Sequence, residues 1–181
     1  MRATITSLVH YGAVVAAALA AACASTAGPV ANVPQNLQPG AAEKQVLVTA
    51  ATGVQIYQCR AASAGAEPEW TFVAPEAELL DRRGAKLGIH YAGPHWESPD
   101  GSKVAASVAA RADAPATGAI PWLLLNARSV GTHGVFSKVS SIQRVNTAGG
   151  TAPRSGCSRA NAGALARIPY TADYVFFARQ S

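Results

Sequence analysis

From residue 44 onward, short apolar runs alternate with turn residues: KQVLVTA, GVQIYQCR, EWTFVAP, KLGIHYA, SKVAASVAA, IPWLLLNA, GVFSKVSSIQRV and ADYVFFARQ. Valine, isoleucine and aromatic residues dominate the runs, and glycine, proline, aspartate and asparagine separate them, which is the pattern of strands and turns. In SKVAASVAA, Val104, Ala106 and Val108 share one face, as in a half-buried strand. IPWLLLNA is apolar without alternation and reads as a central strand covered on both faces. SPDGS supplies a hairpin turn, while PEAELLDRRGA and ANAGALAR leave room for one helical turn each, limited by Gly84 and Gly163. With no long helical period between them, eight such segments predict an all-β fold, an antiparallel sandwich or barrel of about eight strands.

The chain has 181 residues, 49% of them hydrophobic and 14% charged, enough for one sizeable core and one domain. That domain is expected over residues 43 to 181. At the other end, Arg2 and His10 precede the apolar run YGAVVAAALAAAC, which is shorter than the ~20 residues a membrane-spanning helix requires and reads as a signal peptide over residues 1 to 22. LAAAC ends at Cys23 like a lipobox, in which a cysteine after small residues receives a lipid, although Leu19 stands four places before the cysteine and Ala20 takes the usual leucine position. An ordinary cut after AAA or ACA is the alternative. Residues 23 to 42, with three prolines, then read as a lipid-tethered spacer. The expected location is the bacterial cell envelope, on the periplasmic side of a membrane.

Export changes the reading of the three cysteines. If Cys23 carries lipid, Cys59 and Cys157 remain as a pair that an oxidising compartment would bridge, closing a loop of nearly a hundred residues; two buried thiols are the alternative. Charge is uneven as well. Cys23 to Ala127 holds seven Lys and Arg against nine Asp and Glu, whereas Arg128 to Ser181 holds seven against Asp173 alone. Such a basic third suits an anionic envelope polymer or lipid headgroups rather than nucleic acid, or is simply a solvated surface.

The candidate chemistry is concentrated in GIHYAGPHWESPDGS, residues 88 to 102. Alternation sends His90 to the face opposite Leu87, Ile89 and Tyr91, and the Gly93-Pro94 turn is expected to lift His95, Trp96 and Glu97 off the sheet edge into solvent. A metal site could draw on His90, His95 and a carboxylate from Glu97 or Asp100, since imidazole and carboxylate suit zinc or copper, but the spacing is not diagnostic. His133 is read as a turn residue, and Asp100 as a turn former. Neither a G-x-S-x-G elbow, a Walker loop nor H-E-x-x-H is present, and no cofactor is indicated. Trp70, Tyr91, Trp96, Trp122, Tyr170 and Tyr174 could in part line a groove for sugar or small apolar ligands; Trp70, Phe72, Trp122, Phe176 and Phe177 are expected in the core.

With these residues in view, the ordered set GVQIYQC, WTFVAPEAELLD, GIHYAGPHWESPDGSKV, IPWLLL, SIQRVNTAGGTAP, a cysteine and YTADYVFF resembles an exported bacterial and fungal family known as domain of unknown function 3455, over about residues 33 to 179. The family pattern G-x-H-x-A-G-P-x-W falls on Gly88, His90, Ala92, Gly93, Pro94 and Trp96, with His95 at a variable position. The resemblance implies one extracytoplasmic domain and brings no activity, substrate or catalytic residue. The residues themselves favour an envelope binding module whose ligand, a small molecule or envelope glycan, meets His90, Tyr91, Trp96 and Glu97 at one rim. Its rivals are a metal-binding protein, a hydrolase using His90 and Glu97, and a structural envelope protein without a ligand.

Overall fold

A computed structural model describes residues 32–61, 63, 65–131 and 133–180. The expected signal peptide and the expected lipid acceptor Cys23 lie outside them. Eight strands run in chain order: β1 (Glu43–Arg60), β2 (Glu69–Leu80), β3 (Lys86–Tyr91), β4 (His95–Glu97), β5 (Lys103–Ala112), β6 (Trp122–Val130), β7 (Val139–Gly149) and β8 (Leu165–Arg179). Each pairs antiparallel with the next, and β8 returns to pair with β1, so the expected all-β fold is a closed up-and-down barrel, in which β2 before Ala77 and β5 beyond Ala106 run past the short β3 and β4 without a strand partner on that side. Among the described residues no helix is long and apolar enough to cross a membrane.

The strands differ from the sequence reading at three places. KQVLVTA and GVQIYQCR form one strand, β1, because Gly53 between them is a point of close approach and not a break: a Cβ there would lie 2.1 Å from the Glu76 carbonyl oxygen on β2. HWE forms the short strand β4, too brief to show a period. PEAELL continues β2 with Ala77 and Leu79 buried; the turn comes later, where Asp81 Oδ1 accepts hydrogen bonds from the Arg83 and Ala85 amides. In ANAGALAR one turn of 3-10 helix does form, at Arg159–Asn161.

The barrel interior holds the main core, including Trp96, Leu123, Leu125, Phe136, Ile142, Tyr174 and Phe176. A second apolar cluster lies on the outer wall. There a 3-10 turn, Gln35–Leu37, buries Leu37 completely against Trp122, Val145, Val175 and Phe177. Gln143 Nε2 donates to the Leu37 carbonyl at 2.6 Å, and Asn36 Nδ2 to the Arg111 carbonyl at 3.0 Å. Within the stretch expected as a spacer, Val33 and Leu37 thus pack on the barrel wall, while Gln38 and residues 40 to 42 are exposed. This second cluster also accounts for the unbroken apolar run of β6, since Leu123 and Leu125 point into the barrel while Trp122 and Leu124 point beneath the N-terminal segment.

The barrel's two ends are built differently. At one, Phe136 from the β6–β7 connection is fully buried, its ring 5.0 Å from that of Phe176. At the other, the end of β1 is tied to the long β7–β8 connection by the expected Cys59–Cys157 disulfide, across a sequence separation of 98. Trp70 Nε1 donates to the Ser155 carbonyl at 2.8 Å beside it.

Candidate binding site

Strand parity divides the residues of the GIHYAGPHWESPDGS stretch. On β3, Gly88 and His90 face inward while Ile89 and Tyr91 face outward, and β4 is registered so that His90 opposes Trp96 and Ile89 opposes Glu97. Inside the barrel the imidazole stacks on the indole at 4.1 Å and 12°, with Tyr174 edge-on to both. Trp96 is 1% exposed, so the expectation that the turn lifts it into solvent is wrong: opposite an inward His90, it must also point inward. Tyr91 and Glu97 occupy the outer face. The Tyr91 hydroxyl donates to Glu97 Oε2 at 2.5 Å and Lys103 Nζ lies 3.1 Å from the same oxygen. Those two contacts, the Tyr91 bond foremost, hold the Glu97 carboxyl below its ordinary range.

Single rim and joint active site fail for the same reason. His90 and Glu97 lie on opposite faces of the sheet, so they do not form one acid–base pair, and Tyr91 and Glu97 stand apart from His90 and Trp96. His95 stacks beside Tyr91 and donates from Nδ1 to the Ala92 carbonyl, away from the His90 ring. Among the described residues no group of three His, Cys, Asp or Glu converges. Two glycines of the family pattern have local structural reasons: a Cβ on Gly88 would lie 2.3 Å from the Glu97 carbonyl oxygen, and Gly93 has φ +127° against the His95 ring.

Above the stacked pair the barrel opens into a cavity of about 270 Å³. Its walls are apolar and include Phe72 and Val73 of β2, each 48% exposed, and Val108 of β5, 56% exposed. Phe72 is thus a wall of the opening and not the core residue expected from its strand. The floor is polar: Gln55 of β1, His90, Trp96, Arg144 of β7 and Tyr174 of β8. His90 Nδ1 donates to the His95 carbonyl at 2.8 Å, which leaves Nε2 as an acceptor. Burial drives the His90 pKa down to about 3, so the ring is neutral. Burial also pushes the Tyr170 and Tyr174 hydroxyls up, although the neighbouring Arg144 charge acts against it.

Several donors on this floor lack acceptors. Gln55 is 2% exposed and Trp96 1%, and neither Gln55 Nε2 nor Trp96 Nε1 has a hydrogen-bond partner; the Gln55 amide lies beside the Tyr170 hydroxyl without reaching hydrogen-bond geometry. Arg144 is half-buried. Its Nε and Nη2 donate to the Pro121 carbonyl at 3.2 and 2.8 Å, and no ion pair among the described residues includes it. Among the described residues no aspartate or glutamate lines the cavity. Elsewhere in the basic C-terminal third, Arg159 pairs with Glu67 and Arg167 with Glu76.

Of the residues that line this cavity, the sequence singles out His90, Trp96 and Tyr174, whereas Gln55, Val73 and Arg144 carry no motif and Phe72 reads as core. A signal existed for Arg144: it shares parity with the apolar Ile142 in the middle of a strand, where a solvated surface charge would alternate with such a residue. Gln55 carries the same signal in β1, in step with Ala51 and Gly53.

Eight strands enclose an interior just wide enough to be filled by side chains or to hold one small ligand, and here one end is filled while the other opens over polar groups; the class is a closed up-and-down barrel with an internal cavity. The chain belongs to the family described as protein of unknown function DUF3455, whose model matches residues 39–178. No curated protein and no solved structure matches it.

Proposed function

We propose that this protein is an exported binding module that takes a small, largely apolar molecule into the open end of its barrel. The observation that carries the reading is the cavity of about 270 Å³ whose floor holds the buried donors Gln55 Nε2 and Trp96 Nε1, neither with an acceptor, beneath exposed apolar walls. A shaped apolar hollow with a few convergent polar groups is the usual form of a small-molecule site, and buried donors without acceptors are uncommon unless something else satisfies them. Catalysis would require a nucleophile, a base and a stabiliser within mutual reach, and the cavity lining offers a neutral histidine without a neighbouring nucleophile. An envelope glycan is the less suitable ligand, because the walls offer aliphatic and phenyl surface with few polar groups to meet sugar hydroxyls.

Export rests on the leader-like N-terminus and on the disulfide, a bond that persists in oxidising compartments. A lipid on Cys23 would then tether the barrel to a membrane, and mass spectrometry of the mature N-terminus tests it: an unmodified start downstream of Cys23 would end that part of the reading. Binding is tested by a thermal-shift screen against small apolar molecules, in which a ligand at 100 times its Kd stabilises the fold by about 2.7 kcal/mol. Val108→Trp, a change at an exposed wall position, should fill the opening and abolish the shift. A hit that Val108→Trp leaves intact binds elsewhere.

A further inference from the structure

We infer that the molecule held in the barrel opening is a small monocarboxylate, its carboxylate bound by Arg144 and Gln55 and its apolar body lying along Phe72, Val73 and Val108. This rests on the binding reading above and names the chemistry of the occupant. The cavity carries an imbalance of charge. Arg144 brings a permanent positive charge into it, and among the described residues no acidic side chain lines it and no ion pair neutralises that charge. The Arg144 guanidinium donates from Nε and Nη2 to the Pro121 carbonyl and bears on the Tyr174 hydroxyl, neutral partners that leave its charge uncompensated. Gln55 Nε2 and Trp96 Nε1 are donors without acceptors on the same floor. A site with surplus donors and a surplus positive charge is complementary to an anion with at least two acceptor oxygens.

The rest of the cavity selects among anions. Phosphate or sulfate would satisfy the floor but leave Phe72, Val73 and Val108 facing water, whereas a carboxylate on an apolar body covers them. At about 30 Å³ per water-sized group, 270 Å³ holds about nine non-hydrogen atoms, and the open mouth leaves room for about one or two more. His90 Nε2, an acceptor, repels a carboxylate oxygen and so directs the head toward the Arg144 side of the floor. Straight-chain and aromatic acids share this chemistry, and octanoate and hydrocinnamate serve as probes of the two bodies.

Isothermal titration calorimetry on the full chain compares octanoate and hydrocinnamate with octanol and octylammonium. At least one of the two acids should bind about tenfold to a hundredfold more tightly than octanol, the range of a hydrogen bond to a charged group, and octylammonium should not bind. Arg144→Gln should remove that preference, so that the variant binds the acids no more tightly than it binds octanol. If Arg144→Gln fails to fold, Gln55→Leu should still weaken the acid selectively, and the wild-type preference alone decides the sign of the charge. Octanol binding as well as the acids, or an acid affinity unchanged in a folded Arg144→Gln, overturns the carboxylate while leaving the cavity a binding site. If neither the acids nor octanol bind, both this inference and the binding reading fall.

Discussion

The barrel's two ends solve the same problem, that of closing an eight-stranded tube, in opposite ways. At the filled end Asp100 Oδ1 accepts from the Ser102 amide at 2.8 Å and its hydroxyl at 2.6 Å, while Asp100 Oδ2 accepts from the Val135 amide at 2.8 Å. Ser102 Oγ in turn accepts from the Phe136 amide at 3.1 Å, and Ser129 Oγ donates to the Phe136 carbonyl at 2.6 Å. These bonds seat the Phe136 ring as a stopper. At the open end Gln55 and Trp96 keep partnerless donors, Arg144 lacks a counter-ion and apolar side chains meet solvent. One end is organised for stability and the other leaves polar groups for something else to satisfy. Thr49 Oγ1, on the inner face of β1, and Trp122 Nε1, on the outer wall, are also without partners, and nothing in the structure accounts for them.

The contrast can be broken by mutation. Losing the Cys59–Cys157 bridge should have the largest effect, because in the chain-entropy model a closed loop of 98 residues is worth about 4 to 5 kcal/mol; urea denaturation of the double serine variant measures it. Next, Phe136→Ala should cost about 3 to 5 kcal/mol, the usual range for emptying a fully buried aromatic site, whereas Phe72→Ala at the half-exposed wall should cost less than about 1 kcal/mol. Equal losses at the two phenylalanines would erase the distinction between stopper and wall.

Acid sharpens the comparison further. The His90 pKa falls from 6.5 to about 3 on folding, so between those values the unfolded chain binds the extra proton, and stability is lost as pH drops through that window. The slope should approach 1.4 kcal/mol per pH unit, and His90→Gln should flatten it. Asp100 gives the smaller effect. Its carboxyl is held down to about 2, chiefly by the Ser102 hydroxyl, so its contribution is complete above the ordinary aspartate range and disappears as pH falls from there toward 2. Asp100→Asn should therefore alter only the most acidic part of the unfolding curve, measured by circular dichroism across pH.

Much of this fold is legible in the sequence because alternation survives where a strand has one wet face. Parity in KLGIHYA turns His90 away from Tyr91, and the lack of alternation in IPWLLLNA matches a strand covered on both sides. The short β4 is not legible, since three residues cannot display a period, and its pairing partner is what sends Trp96 inward. Nor does the sequence show that Val33 and Leu37 dock on the outer wall, because a proline-rich segment reads as a tether until a surface is known to receive it. The site divides along the same line. Local order identifies His90 and Trp96, but Gln55, Arg144 and Phe72 join them only through barrel closure, which brings β1, β2 and β7 around one opening.

The three tryptophans provide the most direct test that the open end is the binding site. Trp96 Nε1 lies partnerless on the cavity floor, Trp70 Nε1 is bonded to the Ser155 carbonyl, and Trp122 lies beneath the N-terminal segment on the outer wall. In nitrogen-15 correlation spectra their indole N–H signals can be followed separately while octanoate or octanol is titrated in. Occupation of the cavity should shift the Trp96 indole signal saturably and leave the Trp122 signal in place. A saturable shift at Trp122 with Trp96 unmoved would place the ligand outside the barrel and contradict the account.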